Sequence, residues 1–353
     1  MRMHKLVSLL IIGVVSFASC KNESIDSPKG NYENGMLISG EGSAAGSGSV
    51  SFVSQNFNIV ENLIYKKVNL GELGTNLQSI AFNNDNAYIV VDNQNTITAV
   101  DRYSFEKRGE ITTDLFTPRY MVVVGNKGYV TNWGSTADET DDFIAIVNLD
   151  SFIVEGTISV GNGPERIIES DGKLYVSHKG AFTTNNVISV IDIASEMVQE
   201  VTVNDNPDEL FFNNAGQLVV LSSGRVLYDA LWNVTGDTPG SIAMIDTTSL
   251  EIVNEFVFSE GEHPSVMVLE NDTIYYNIGN NIYAINESAT SLSTTTIIEA
   301  EGYLYGIAVQ GDALFILNAN FTDLSFLNVY SIATKTKTQT KEIALGASKI
   351  YFN

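Results

Sequence analysis

The hexapeptide Tyr129-Val130-Thr131-Asn132-Trp133-Gly134 decides the fold, because short apolar segments of the same kind recur along the chain. Each segment is a run of apolar residues that ends in polar or small ones. The recurring segments start at Leu37, Tyr88, Tyr129, Tyr175, Val219, Tyr275 and Phe315. Their spacing of 40 to 56 residues is typical of the blades of a β-propeller.

The repeat unit at residues 118–161 indicates what one blade contains. Four strand-like segments follow one another, at residues 119–124, 128–132, 142–147 and 152–160. A turn of repeated composition joins the third segment to the fourth, with Asp or Asn first and Ser three residues later. The pairs are Asp101 and Ser104, Asn148 and Ser151, Asp192 and Ser195, and Asp246 and Ser249. These side chains accept hydrogen bonds from backbone N–H groups in turns, and no helical period is found after the N-terminal segment.

The two ends of the chain predict the number of blades. First strands start near Leu77, Pro118, Pro164, Pro207, Pro264, Leu304 and Ala347. The N-terminal unit, residues 35–69, has the three later strands of a blade and lacks a first one. We therefore predict an all-β, seven-bladed propeller with four antiparallel strands per blade. Its C-terminal strand joins the N-terminal blade, which removes an exposed sheet edge.

The N-terminal residues predict export. Arg2 and Lys5 precede an uncharged run at residues 6–17, which is too short for a membrane-spanning helix. Phe17-Ala18-Ser19-Cys20 resembles the bacterial lipobox, and Cys20 is the only cysteine. We expect a signal peptide at 1–19, a lipidated Cys20 with a flexible tether at 20–34, and the propeller at 35–353. This predicts an outer-membrane lipoprotein, exposed on the surface or periplasmic; a soluble secreted protein is the alternative.

The charge excludes one class of partner. The chain carries 42 acidic and 19 basic residues, a net charge of −23 that becomes −25 without residues 1–19. Binding to nucleic acid is therefore not expected, because phosphate contacts need Lys and Arg. A solvated, self-repelling surface explains the acidity, and attraction of a cationic ligand is the alternative. We expect a single monomeric ring.

The repeats resemble a known family. Tyr129-Val130-Thr131-Asn132 matches the tetrapeptide of YVTN-type propeller repeat proteins, and Tyr175-Val176-Ser177-His178 is a near copy. Prolines open several first strands in the same pattern. The resemblance extends to YncE-like and surface-layer-like propellers and to lipid-anchored propellers of outer-membrane nutrient uptake. The resemblance implies a propeller fold. It is less specific for function, because this fold carries many unrelated functional sites.

Alignment of the repeats places charged residues at one end of the ring. In a propeller, the loop into the first strand and the loop after the second strand open on the same face. The charged candidates at these positions are Arg119, Glu165, Arg166, Lys179, Asp208, Glu209 and Lys349. Two interpretations stay open. The residues form either an ion-pair network that plugs the central channel, since buried charges require partners, or the polar floor of a ligand site.

Two long loops on the same face carry both tryptophans. Trp133 opens the acidic loop at residues 133–142, and Tyr228 and Trp232 lie in the loop at 222–240. Aromatic side chains on loops of a rigid scaffold can cover a flat ligand or anchor a partner. Alternatively, the two tryptophans only pack their own loops.

Catalytic residues are scarce. His178 and His263 are the only histidines after residue 19, and His178 is the candidate for acid–base chemistry. The acidic loop lacks the spaced ligands of a calcium loop, so no metal and no cofactor are expected. The leading hypothesis is a binding module that captures a small ligand or docks an outer-membrane transporter. A lactonase- or lyase-like enzyme and a structural surface protein are the alternatives.

Overall fold

The computed structural model describes residues 29–135 and 137–353. The predicted signal peptide, Cys20 and residues 20–28 of the predicted tether therefore lie outside the described residues. The described chain forms thirty strands and one short helix, α1 (Ile64–Asn69). No helix of this part of the chain is long and apolar enough to cross a membrane.

Twenty-eight strands form seven four-stranded antiparallel sheets, the blades of a propeller. The closing blade comprises β1 (Gly35–Gly40), β2 (Ser49–Ser54), β3 (Val60–Glu61) and the C-terminal β30 (Ala347–Phe352). Blade 1 comprises β4 (Leu77–Asn83), β5 (Asn86–Val91), β6 (Thr96–Asp101) and β7 (Lys107–Ile111). Blade 2 comprises β8 (Pro118–Val124), β9 (Lys127–Asn132), β10 (Phe143–Asn148) and β11 (Ile153–Ser159). Blade 3 comprises β12 (Pro164–Ser170), β13 (Lys173–His178), β14 (Val187–Asp192) and β15 (Val198–Thr202).

The remaining blades follow the same plan. Blade 4 comprises β16 (Pro207–Phe212), β17 (Leu218–Ser222), β20 (Ser241–Ile245) and β21 (Ile252–Val257), with the separate hairpin β18 (Arg225–Tyr228) and β19 (Val234–Thr238) inserted. Blade 5 comprises β22 (Met267–Glu270), β23 (Thr273–Ile278), β24 (Asn281–Asn286) and β25 (Ile298–Glu299). Blade 6 comprises β26 (Leu304–Gln310), β27 (Ala313–Asn318), β28 (Ser325–Ser331) and β29 (Thr336–Ile343).

The predicted fold class is confirmed, including the closure of the ring. β30 pairs antiparallel with β1, with Leu37 opposite Tyr351. Two details differ from the sequence-based expectation. The first strand of blade 5 begins at Met267 and not at Pro264, and α1 follows the two-residue strand β3.

The apolar core lies between neighbouring blades. Met36 and Ile38 of the closing blade pack with Phe315 and Leu317 of blade 6. The other side of the closing blade packs on blade 1 in the same way, for example through Leu37. Each blade thus buries both faces, which explains why its middle strands are apolar throughout.

The repeated turns between third and fourth strands have the predicted hydrogen bonds. Asp101 Oδ1 accepts the N–H groups of Tyr103 at 2.9 Å and Ser104 at 2.8 Å. Asp246 does the same for Thr248 and Ser249, at 2.9 and 2.7 Å. These turns lie on what we call the bottom face, where first and third strands end. The top face is the opposite one, where first and third strands begin.

Candidate functional site

A β-bulge near the start of each of six first strands turns side chains towards the channel. In β8 the pairing with β9 shifts between Pro118 and Met121, so Arg119 and Tyr120 are left out of the regular ladder. The same shift leaves Glu165 and Arg166 unpaired in β12. Bulges of this kind re-aim side chains and are frequent beside functional sites. The six bulged strands are β4, β8, β12, β16, β26 and β30.

Hydroxyl groups of second strands hold these bulges in place. Thr131 Oγ1 accepts the N–H of Tyr120 at 2.9 Å and donates to the carbonyl oxygen of Glu165 at 2.8 Å. Ser177 Oγ accepts the N–H of Arg166 at 3.1 Å. The Thr and Ser of the two repeated tetrapeptides therefore satisfy backbone groups that the bulge removes from the ladder.

Arg119 is the centre of the first part of the charged network at the top of the channel. Its Nη1 lies 2.7 Å from Asp92, and Nε and Nη2 contact the two oxygens of Glu165 at 3.0 and 3.1 Å. The Trp133 ring covers the guanidinium at 3.8 Å, and Phe182 meets that ring edge-on at 5.7 Å. Paired and stacked in this way, the guanidinium is nearly removed from solvent.

Arg166 is the centre of the second part. It contacts Asp208 at 2.9 Å and Glu209 at 2.5 Å, and it lies over the ring of Tyr120 at 4.4 Å. Lys179 reaches the other oxygen of Asp208 at 2.6 Å. Burial alone would raise the pKa of Asp208, but the charges of Lys179 and Arg166 hold it well below its usual range. Burial raises the pKa of Glu209 despite the same cations.

Lys349 and Glu41 complete the cluster with weaker contacts. Among the described residues, no carboxylate oxygen lies within ion-pair distance of the Lys349 ammonium. Burial and the nearby Arg166 charge lower the Lys349 pKa. Glu41 accepts a hydrogen bond from the Tyr305 hydroxyl at 3.2 Å, and burial raises the Glu41 pKa.

The structure thus brings all of the predicted charged residues together. Seven candidates meet at the top of the channel, namely Arg119, Glu165, Arg166, Lys179, Asp208, Glu209 and Lys349. Six of the seven are ion-paired with one another in a buried network, and Lys349 lies beside it without an ion pair, so both interpretations of the cluster stay predictions. Below this network lies a cavity of about 430 Å³, lined in part by Tyr120, Arg166 and Tyr351.

His178 occupies a structural position. Its side chain is fully buried, with Nδ1 3.2 Å from the carbonyl oxygen of Asn162 and Nε2 2.8 Å from Ser189 Oγ. Burial lowers its pKa to about 4. Both ring nitrogens are occupied, so a substrate in solvent cannot reach them without local opening. Asn132, its counterpart in blade 2, likewise holds the chain before the first strand, through the Phe116 N–H.

Trp232 and Tyr228 lie on the β18–β19 hairpin, which projects from blade 4. Trp232 is 82% exposed and its neighbour Leu231 is 81% exposed. The base of the hairpin is held firmly, since Arg225 contacts Asp205 at 2.9 Å. The 222–240 segment is therefore an ordered strand pair with an apolar tip, and not an irregular loop.

Residues missed by sequence reasoning extend this apolar tip into a surface. Six aromatic side chains of the described residues are exposed, and all lie at the top ends of strands or in top-face segments. They are Phe116, Phe182, Tyr228, Trp232, Tyr303 and Phe326. We call them the aromatic top surface. Combining the repeat alignment with the positions of aromatic residues would have identified most of them.

The acidic loop contains one unusual carboxylate. Asp142 is buried, its Oδ2 accepts the Gly163 N–H, and its Oδ1 has no partner among the described residues. Burial, opposed by the Gly163 N–H and reinforced by Asp141, raises its pKa to about 6. In residues 29–135 and 137–353, no group of three or more His, Cys, Asp or Glu side chains is arranged to hold a metal ion.

Solved structures share this fold. The periplasmic gluconolactonase PpgL of Pseudomonas aeruginosa aligns with a TM-score of 0.64 at 12% identity, over 90% of this chain and 98% of that one. The dihydro-heme d1 dehydrogenase NirN, in complex with DHE, gives 0.58 at 12% identity over 93% and 77%. Hydrazine synthase of Kuenenia stuttgartiensis gives 0.57 at 19% identity over 74% and 80%. Identities this low concern the fold alone.

Sequence comparison gives a family but no activity. No curated protein matches the chain. The model of the family described as a domain of unknown function, DUF5074, matches residues 34–219. This match covers more than half of the chain. It does not identify the chain as a YVTN-type repeat protein, so that resemblance stays a prediction. The protein therefore belongs to the DUF5074 family.

Proposed function

We propose that the protein is a lipid-anchored binding module of the cell envelope, and that its aromatic top surface engages a partner protein. The observation that carries the proposal is that, within residues 29–135 and 137–353, all six exposed aromatic side chains lie on one face. Aromatic residues are enriched at the centres of protein interfaces, where they fill pockets of the partner. The exposed Trp232 and Leu231 at the tip of a firmly held hairpin are suited to this role.

The course of the N-terminal segment supports the proposed anchoring. Residues 29–34 run along the bottom face, where Lys29 contacts Asp85 at 2.9 Å and the Tyr32 N–H donates to the Tyr103 carbonyl oxygen at 2.9 Å. A lipid on Cys20 would therefore tether the ring from the bottom. The aromatic top surface would then point away from the tethered side, free to meet a partner such as an outer-membrane transporter.

Replacement of the cysteine tests the anchor. In cells expressing the full chain, Cys20→Ser should move the protein from the membrane fraction to the soluble envelope or culture fraction, because an acyl anchor supplies the membrane affinity. Incorporation of labelled palmitate measures lipidation directly. A Cys20→Ser variant that stays in the membrane fraction, or a wild type without label, would contradict the anchor. Binding through the top surface would remain testable with the soluble protein.

Site-specific photocrosslinking tests the top surface. A photoreactive residue at Trp232 should give a discrete crosslinked product with one envelope protein in intact cells. The matched control is Met197, which is also well exposed but lies on the bottom face. Equal products from the two positions, or none from Trp232, would argue against the proposal.

Substitution at the same positions gives the quantitative counterpart. Once the crosslinked protein is identified, Trp232→Ala should weaken its affinity by about thirtyfold, because truncating an aromatic side chain at the centre of an interface commonly costs about 2 kcal/mol. Met197→Ser should leave the affinity unchanged. Unaltered affinity of Trp232→Ala would remove the hairpin tip from the interface.

A further inference from the structure

A second cavity lies on the bottom face, at the seam where the ring closes. It has a volume of about 420 Å³ and lies between the closing blade and blade 6. Its walls include Met36, Phe315 and Phe352, and Phe57 covers one side. We call it the seam pocket. It is separate from the charged cluster and from the aromatic top surface, which are both at the top.

A small residue, Ala313, opens this pocket. Ala313 begins β27 and Gly35 begins β1, and both line the cavity. In blades 1, 2, 3 and 5 the second strand begins with a longer side chain, namely Asn86, Lys127, Lys173 and Thr273. The backbone of Gly35 lines the cavity, but a Cβ there would lie 2.5 Å from the Phe52 ring and the Val53 carbonyl oxygen, neither of which lines the pocket. The gap therefore follows from Ala313 in blade 6 and is not a general property of the repeat.

The chemistry of the lining defines what fits. None of the twelve lining side chains is ionisable. The walls are aromatic and aliphatic: the Phe315 ring lies 5.3 Å from Phe352 and 6.4 Å from Phe57. At the rim, the amides of Gln55 and Gln310 make no side-chain hydrogen bond within the described part of the chain. An apolar cavity of a few hundred Å³ with a few polar groups at its edge is typical of small-molecule sites.

We infer that the seam pocket binds an uncharged, ring-containing apolar small molecule whose polar edge meets the rim amides. An anionic group in the cavity would lose its hydration without gaining a cationic partner, because no Lys, Arg or His side chain lines it. Aromatic walls instead favour edge-on or offset contact with a ring. This inference does not depend on the proposed lipid anchor or on the top surface.

Two fluorescent probes of nearly the same shape test whether the seam pocket prefers an uncharged ligand. N-phenyl-1-naphthylamine is neutral, and 1-anilinonaphthalene-8-sulfonate differs from it chiefly by an anionic sulfonate. The folded full chain should bind the neutral probe saturably and the sulfonate at least about tenfold more weakly, a difference of about 1.4 kcal/mol. Equal or tighter binding of the sulfonate would overturn the inference.

Filling the pocket with a larger side chain tests whether the neutral probe binds there. Ala313→Phe should abolish saturable binding of the neutral probe, whereas Thr273→Phe, at the equivalent position of blade 5, should leave it unchanged. Near-ultraviolet circular dichroism verifies that both variants fold. If Ala313→Phe does not fold, Thr338→Phe fills the pocket from its exposed rim. Probe binding that survives filling and is lost in Trp232→Ala would assign the probe to the top surface and overturn the seam site.

Discussion

At the scale of single residues, the last two positions of each repeated tetrapeptide have separate structural tasks. The third position, as in Thr131, satisfies the bulged first strand. The fourth position holds the chain that enters that strand: Asn132 accepts the Phe116 N–H at 2.9 Å, and His178 contacts the Asn162 carbonyl oxygen at 3.2 Å. A histidine that replaces an asparagine in this way brings a titratable group into the core.

The buried His178 predicts a specific sensitivity to acid. Its pKa is about 4 in the folded protein, below the ordinary 6.5. The unfolded chain therefore takes up a proton on this ring at a higher pH than the folded protein does. Burial of the neutral ring contributes its full stability above pH 6.5, and this contribution is lost as the pH falls from 6.5 towards 4. Between pH 6.5 and pH 4, the free energy of unfolding should therefore fall less in His178→Asn than in wild type. The difference between the two falls should be up to about 3 kcal/mol. Urea unfolding at pH 7 and pH 4 measures the difference.

The substitution His178→Asn also lowers the free energy of unfolding by an amount that does not depend on pH. Asparagine is too short to fill the place of the ring beside Ser189, so a pH-independent loss of roughly 1–3 kcal/mol is expected from the partnerless hydroxyl. The titration of His178 is therefore measured only by how the free energy of unfolding changes between pH 7 and pH 4. Equal losses for variant and wild type across that interval would show that His178 does not titrate differently on unfolding.

At the scale of elements, strands could be predicted well and short insertions poorly. The strand pattern recurs in every blade and was visible as apolar runs bounded by turn residues. Helix α1 has only six residues, and left-handed residues, Leu63 and Leu70, bound it. Such a short segment has no room for a helical period. The β18–β19 hairpin was likewise predicted only as a long loop, because its strands lie outside the blade repeat.

At the scale of the whole molecule, β30 holds the ring together. Its residues pair with β1, and Ile350 and Phe352 pack on the core between the closing blade and blade 6. Without β30, the inner edge of β1 would be exposed, and unpaired edges promote aggregation. The seam pocket, which Phe352 lines, would also lose a wall.

Removal of the last five residues, 349–353, tests ring closure. We expect a loss of at least about 3 kcal/mol in the free energy of unfolding, from the apolar burial of three large side chains. Urea unfolding monitored by circular dichroism measures it. The control replaces residues 228–235 by Asn-Gly, which keeps the base of the hairpin and should leave the unfolding midpoint nearly unchanged. A truncated chain as stable as this control would contradict the role of β30.

The sequence by itself determined the class of fold, the number of blades and the strand that closes the ring. The fold class and the number of blades follow from patterns within about fifty residues, because five blades consist of four consecutive strands and blade 4 is interrupted by only one hairpin. The two ends of the chain added the closure, since one unit lacked the strand that the other end supplied.

Only the tertiary structure decided which side chains meet. Arg119 and Glu165 are 46 positions apart, and their ion pair depends on the arrangement of two bulged strands about a common axis. The burial of His178, the single face shared by the exposed aromatic residues and the pocket beside Ala313 have the same origin. Each depends on how one blade lies against the next, and that packing is set by contacts between residues far apart in the chain, which no local pattern records.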